Sequence, residues 1–276
     1  MKNALTIDLE DYYHVSAFRE QIPTAEWSSQ QSRVERSTDF LLNLLDETGS
    51  KATFFTLGSV AEQHPRLVQR VAERGHEIGC HSLRHRIVYE MTPQEFREDT
   101  RRAKQLLEDL TGCAVRGYRA PSFSITRDSF WAFEILAELG FTFDSSIFPL
   151  KHPNYGMPDS PRQPYRLNTC HGSIVEFPMT TLEFIRYRSP FGGGAYFRLL
   201  PYWYTRWGMR FLNRSEQRPV CVYLHPWELD PEQPRIAGKL SSQFRHYLGL
   251  RNTAAKFRNL LRDFQFSPLG TLADTI

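Results

Sequence analysis

From residue 4 to residue 144 the chain alternates short apolar runs with longer segments of helical period, and that alternation constrains the fold more than any other feature. The runs at 4–9, 51–57, 77–80, 115–119 and 141–144 read as strands. Between them, 34–48, 60–74, 93–110 and 126–139 carry apolar residues at helical spacing and are closed by Gly49, Gly75, Gly112 and Gly140. Thr92, Pro93 and Glu95 form a capping-box helix start. Strands that recur with a helix between each pair must run parallel, because the helix carries the chain back. Polar residues stand repeatedly at the C-terminal ends of these strands, which is the habit of an α/β barrel. An open doubly wound sheet is the alternative, but no Gly-rich phosphate loop follows the first strand.

Further strands are expected at 173–177 and 220–224, after an irregular excursion at 151–171 that is rich in Pro, Asn and Gly. Helix is expected over 240–261, interrupted near 249–252, with Phe244, Tyr247, Leu248, Phe257, Leu260 and Leu261 facing inward. The stretch 184–215 is unusual. It holds Arg186, Arg188, Arg198, Arg206, Arg210 and Arg214, no acid, three consecutive glycines (192–194) and a run of Tyr, Trp and Phe. The fold expected is a distorted, incomplete (β/α) barrel of about seven parallel strands, with this insertion and C-terminal helices, in one domain over 1–276.

An apolar content of 41% over 276 residues is ample for a core. A formal charge of +3, with no Lys/Arg-rich run, argues against nucleic acid as a partner. Cys80, Cys113, Cys170 and Cys221 are far apart and form no C-x-x-C pair, so they read as small buried residues in a reducing compartment. The N-terminus turns acidic by Asp8, leaving no room for the apolar core of a signal peptide, and no later segment is a membrane span. A cytoplasmic protein is expected, with recruitment to a membrane left open.

Two features carry chemistry. His81 and His85, four apart, would lie on one face of a helical turn and could grip one ion. Asp8, Glu10 and Asp11 crowd the end of the first strand, and such a cluster is costly without a cation. The alternative is an acidic loop that caps the next helix.

The motifs ALTIDLED, HSLRH, YRAPSFS, FDSSIFP and YLHPWE, in this order from Ala4 to Glu228, resemble those of the polysaccharide deacetylases of carbohydrate esterase family 4. The likeness is greatest to the subgroup encoded with exopolysaccharide and exosortase loci. It implies a divalent metal ion, zinc by default with cobalt, nickel or manganese as alternatives, held by His81, His85 and one carboxylate. Leu9 stands where adjacent aspartates are usual, so that carboxylate is Glu10 or Asp11. Glu10 shares the strand face of Asp8 and is favoured, and the choice stays open. The resemblance also implies Asp8 as catalytic base, Arg119 as its buttress, His225 as catalytic acid and Asp144 as the group orienting it. Pro121, Ser122, Phe123 and Trp227 would contact substrate, with the Ser122 N–H helping to bind the oxyanion.

The implied function is metal-dependent removal of N-acetyl groups from amino sugars of an exopolysaccharide or its lipid-linked precursor. The Arg and aromatic stretch would line a glycan groove or rest on the inner face of the inner membrane. The rivals are an amidohydrolase of the same fold acting on a small cyclic amide and a catalytically inactive glycan-binding protein.

Overall fold

The run at 4–9 forms β1 (Lys2–Leu9), buried from its second residue onward because both its faces are covered. The computed structural model describes residues 1–152, 155–185 and 187–276. After β1 come α1 (Val34–Asp46), β2 (Thr53–Thr56), α2 (Gly58–Gln63), α3 (Pro65–Glu73) and β3 (Glu77–Cys80). They are followed by α4 (Pro93–Thr111), β4 (Gly117–Tyr118), α5 (Ala132–Glu138) and β5 (Phe143–Asp144). One expected helix, 60–74, is two: Pro65 has no N–H to give the preceding turn, and the chain bends at His64 before α3 begins.

The excursion at 151–171 is only partly irregular. It ends in β6 (Tyr165–Thr169), which pairs antiparallel with β7 (Gly172–Glu176) from Tyr165 opposite Glu176 to Thr169 opposite Gly172. Its alternating half-buried and exposed residues suit a sheet edge and offer no apolar run, so composition hides it.

The Arg and aromatic stretch folds as a hairpin, β8 (Thr181–Phe184) and β9 (Tyr187–Pro190), then α6 (Gly194–Leu199) and α7 (Tyr202–Arg214). Arg186 lies outside the described residues. Next are β10 (Cys221–Leu224), α8 (Leu240–Tyr247), α9 (Leu250–Asp263), β11 (Gln265–Ser267) and α10 (Leu269–Ala273). The interruption near 249–252 is Gly249, in the left-handed region at φ 82°. Phe244 and Leu248, expected to face inward, are 63% and 41% exposed, because α8 turns that side to solvent.

The main sheet runs β10, β1, β2, β3, β4, β5, β7, β6, and β11 pairs with the first residues of β1. Every pair is parallel except β6 with β7, so seven parallel strands lie in sequence from β10 to β7. The path starts at β10 and ends at β6, which is the incomplete barrel expected. Cys80 and Cys221 are buried, but Cys113 and Cys170, expected to be buried too, are exposed. Among the described residues no helix is long and apolar enough to cross a membrane.

Candidate active site

Parallel register decides what meets at the rim. Ile7 pairs with Leu224 and Thr56 with Cys80, so the residues just past β1, β3 and β10 emerge side by side. Those residues are Glu10, His81 and His225, with Asp8 delivered by the last residues of β1 itself. They line a cavity of about 450 Å³, together with His85 and Ser122.

His81 and His85 do come together, their rings 5.4 Å apart, but not through a helical turn. The segment after β3 is a loop in which Ser82 and His85 take positive φ, 67° and 53°. Asp99 of α4 holds it by accepting a hydrogen bond from Leu83 N (2.9 Å). Such backbone outliers persist only where the surroundings over-determine them. His81 Nδ1 lies 2.8 Å from the carbonyl oxygen of Arg119. A carbonyl only accepts, so Nδ1 carries the proton and Nε2 is left with its lone pair, the arrangement metal-ligating histidines use.

Glu10 completes the group. Its Oε2 is 3.2 Å from His85 Nε2 and its Oε1 3.1 Å from His225 Nε2. Ligand atoms of Glu10, His81 and His85 all fall within 4.8 Å of one another. Glu10 Oε2 is sealed from solvent with no hydrogen-bond donor. A buried, donorless carboxylate oxygen beside two imidazoles fits a divalent cation, and one carboxylate with two histidines is a zinc-type donor set that leaves a position open. Burial pushes the Glu10 pKa up, but the neighbouring imidazoles of His85 and His225, the second also hydrogen-bonded to it, outweigh burial and hold the carboxyl below its usual range. Burial pulls His85 down to about 4 against the opposing pull of Glu10, and the neutral imidazole is the form that ligation requires.

Asp11 is not part of this group. Its Oδ2 accepts from Ser32 Oγ (2.8 Å), Arg33 N (2.8 Å) and Val34 N (3.1 Å), and its Oδ1 from Tyr12 N (2.9 Å). It satisfies orphan N–H groups at the start of α1, so of the two carboxylates left open by the sequence, one binds the cluster and the other caps a helix.

Asp8 is held by Arg119, whose Nη1 donates to Asp8 Oδ1 at 2.7 Å. Arg119 is fully buried, and it also donates to Thr6 Oγ1 (2.9 Å), Ser145 O (3.1 Å) and Ser145 Oγ (2.9 Å). The remaining oxygen, Oδ2, faces His225 Nε2 at 3.8 Å.

His225 does not use Asp144. Its Nδ1 pairs with Glu228 Oε1 at 2.7 Å, and that same oxygen accepts from the His225 backbone N–H (3.1 Å). Burial would lower the His225 pKa, but hydrogen bonds to Glu10 and Glu228 win and raise it to about 10. Asp144, fully buried, is instead committed to Ser146, accepting from its N and Oγ at 2.8 Å each, and to the Glu176 carboxyl on the neighbouring strand. The reason is register: β5 sets Asp144 directly opposite Glu176 of β7, and burial with a facing carboxylate raises the Glu176 pKa so that a proton is shared there.

Of the expected substrate contacts, Ser122 and Phe123 line the cavity. Both have positive φ, 53° and 55°, and Ser122 Oγ is 2.8 Å from Ser16 Oγ. Pro121 is buried and does not reach the lining. Trp227 touches the cavity but is only 5% exposed, stacked on His225 (5.0 Å) and on His246 (4.3 Å). Its indole is taken up by these two imidazoles. The residue that sequence reasoning missed is Glu228: a glutamate three residues past a strand-end histidine is a capping-box signal, and it stood inside YLHPWE.

Residues 29–143 match the family described as polysaccharide deacetylase, and 145–274 match a family described as a domain of unknown function, DUF3473. A peptidoglycan-N-acetylglucosamine deacetylase of Bacillus cereus is 35% identical over 98 residues, 35% of this chain and 36% of that protein. A peptidoglycan deacetylase-like protein of Gibberella zeae is 30% identical over 173 residues, 52% of this chain and 48% of that protein. The matched regions thus span between a third and a half of these relatives' length. A crystal structure of a Mycobacterium smegmatis protein described as a polysaccharide deacetylase superposes with a TM-score of 0.66 at 21% identity, covering 100% of this chain and 90% of the other. Residues 29–143 are therefore similar to the polysaccharide deacetylases, and the chain shares the α/β fold of the Mycobacterium smegmatis protein.

Proposed function

We propose that the chain is a single-domain, metal-dependent hydrolase that removes N-acetyl groups from amino sugars. The observation that carries this reading is the buried Glu10, His81 and His85 cluster, flanked by Asp8 and by His225. Glu10, His81 and His85 would hold a divalent cation, zinc for this donor set, which when bound polarises an acetyl carbonyl and lowers the pKa of water. Asp8, aligned by the Arg119 guanidinium, takes the proton of the attacking water. The Ser122 N–H, on the cavity wall, donates to the oxyanion as the carbonyl becomes tetrahedral. His225, protonated and aligned, gives its proton to the departing amine, so the products are acetate and a free amino sugar.

The test is acetate release from defined N-acetylglucosamine oligomers. We expect release that a chelator abolishes and added zinc restores. No acetate at any metal loading, with turnover of a small cyclic amide, would replace the reading by the amidohydrolase. Glycan affinity that survives Asp8→Ala with His225→Ala, again without acetate, would replace it by the binding protein.

For the substrate we propose a bacterial exopolysaccharide, of the kind made at exosortase loci, or its lipid-linked precursor at the cytoplasmic face of the inner membrane. Support comes from the α7 side of the molecule. Trp203 and Trp207 are 68% and 43% exposed there, Phe184 stacks on Trp207 at the hairpin (6.0 Å), and the stretch 184–215 has arginines but no acid. Amphipathic aromatic rings with cations suit a headgroup region. Sedimentation with anionic liposomes should carry the protein down, and Trp203→Ser with Trp207→Ser should release it. No sedimentation of the unaltered chain would remove the membrane from the proposal.

A further inference from the structure

We infer that the 145–274 segment is the proton-donor half of the active site, with Arg198 and Glu228 as the residues that position His225. This rests on the deacetylase reading for its kinetics, and on geometry alone for its arrangement. His225, Glu228 and Arg198 all fall inside the part of the chain matched only by the domain of unknown function.

Glu228 is fully buried and has two cationic neighbours on its two oxygens. Oε1 takes His225 Nδ1 at 2.7 Å, and Oε2 takes Arg198 Nε at 2.6 Å. Arg198, 3% exposed, spends its other donors on main-chain carbonyls: Nη1 donates to His246 O (2.6 Å) and Leu248 O (2.9 Å), and Nη2 to Arg245 O (2.9 Å). Those carbonyls close the last turn of α8 and the link to α9. Lys256 of α9 in turn donates to Arg198 O (2.6 Å) and Leu200 O (2.9 Å) at the end of α6. Gly249 has to be glycine for this closure, since a Cβ there would stand 2.7 Å from Arg198 O. A continuous line of directed contacts therefore runs from the C-terminal helices through one guanidinium and one carboxylate to the imidazole.

The chemistry gives that line a purpose. A carboxylate on Nδ1 fixes the tautomer and ring orientation of the histidine, so that Nε2 carries the proton toward the cavity, and it stabilises the imidazolium. A carboxylate buried without a cation would itself drift toward the neutral acid, and Arg198 prevents that. Arginine is required because its planar fork serves a carboxylate and three carbonyls at once, which the single point of a lysine ammonium does not.

Two variants of the full chain test this, Glu228→Gln and Arg198→Lys. One amide oxygen cannot accept from both Arg198 and His225, so in Glu228→Gln the NH₂ group faces a donor on one side. We expect kcat for acetate release to fall by about 10²–10⁴-fold in Glu228→Gln and by about 10–100-fold in Arg198→Lys. KM should stay within about threefold and zinc content should be unchanged, because neither residue touches the Glu10 cluster and Arg198, although it borders the cavity, spends its donors on Glu228 and on main-chain carbonyls. Independently of turnover, the ¹⁵N-labelled imidazole of His225 should show a protonated, strongly hydrogen-bonded Nδ1 that both variants alter. A His225 spectrum unchanged in both variants overturns the positioning role, as does full kcat in both. Loss of kcat together with zinc or with the native melting transition overturns it as well, by making the effect structural. If the unaltered chain releases no acetate, the deacetylase reading falls, while the His225 resonances still decide whether Arg198 and Glu228 position the ring.

Discussion

Replacing Asp8 by asparagine is expected to lower acetate release by about 10²–10⁴-fold and to leave the zinc content unchanged. Asp8 is isosteric with the replacement and stands outside the group of three ligands, so what is lost is the capacity to take a proton. Its two oxygens have separate duties: Oδ1 is saturated by Arg119 at 2.7 Å, and Oδ2 faces the space beside His225 Nε2 at 3.8 Å. An asparagine would keep the first contact only by turning its NH₂ toward the cavity, where a proton acceptor is needed. The contrast is His85→Ala, which should lose zinc and activity together, because it removes one of the three ligand groups. Atomic absorption on both variants, beside acetate release, separates the two roles. Asparagine at position 8 with activity within about threefold of the unaltered chain would take the base away from Asp8; loss of zinc would make it a ligand.

The fold was readable for a physical reason. Strands buried on both faces leave apolar runs, helices packed on one side leave a 3.6-residue period, and left-handed helix ends leave glycines, as at Gly49, Gly75, Gly112 and Gly140. β6 escaped because an edge strand with alternating exposure leaves no apolar run. In the site, residues delivered directly by strand ends were legible, and their partners were not. His81 and His85 were paired on a helical argument, whereas the loop reaches the same closeness through two positive-φ residues, which no periodicity announces. Asp144 was assigned to His225 by motif order, but hydrogen bonds follow register, and register turns Asp144 toward Glu176. Arg198 looked like one more arginine in an acid-free stretch. Its acid is 30 residues further on, a separation invisible until β10 brings Glu228 under α6.

Arg119→Met is the second large effect, and it should appear first in stability: about 3–5 kcal/mol lost in urea unfolding, with the m-value unchanged. Arg119 is fully buried, and its guanidinium lies 4.3 Å from the centroid of the Phe55 ring, so no water can replace its charge. Removing it strands the Asp8 carboxylate in the interior and leaves Ser145 O without that donor. Most of the loss comes from the abandoned charge rather than from the bond itself, because ion pairs in an interior roughly break even against their desolvation. That distinction is measurable. If it holds, Asp8→Asn combined with Arg119→Met should be more stable than Arg119→Met alone, although both lack activity, since the double variant buries no isolated charge. A single variant that loses less than about 1 kcal/mol would mean that cavity water compensates the Asp8 charge without Arg119. A double variant no more stable than the single would mean that the contacts to Ser145 and Thr6, rather than the Asp8 charge, are what the fold depends on. In either case the Arg119 charge would not be what braces the proposed base, and the geometry at the end of β1 would serve the sheet instead of the chemistry.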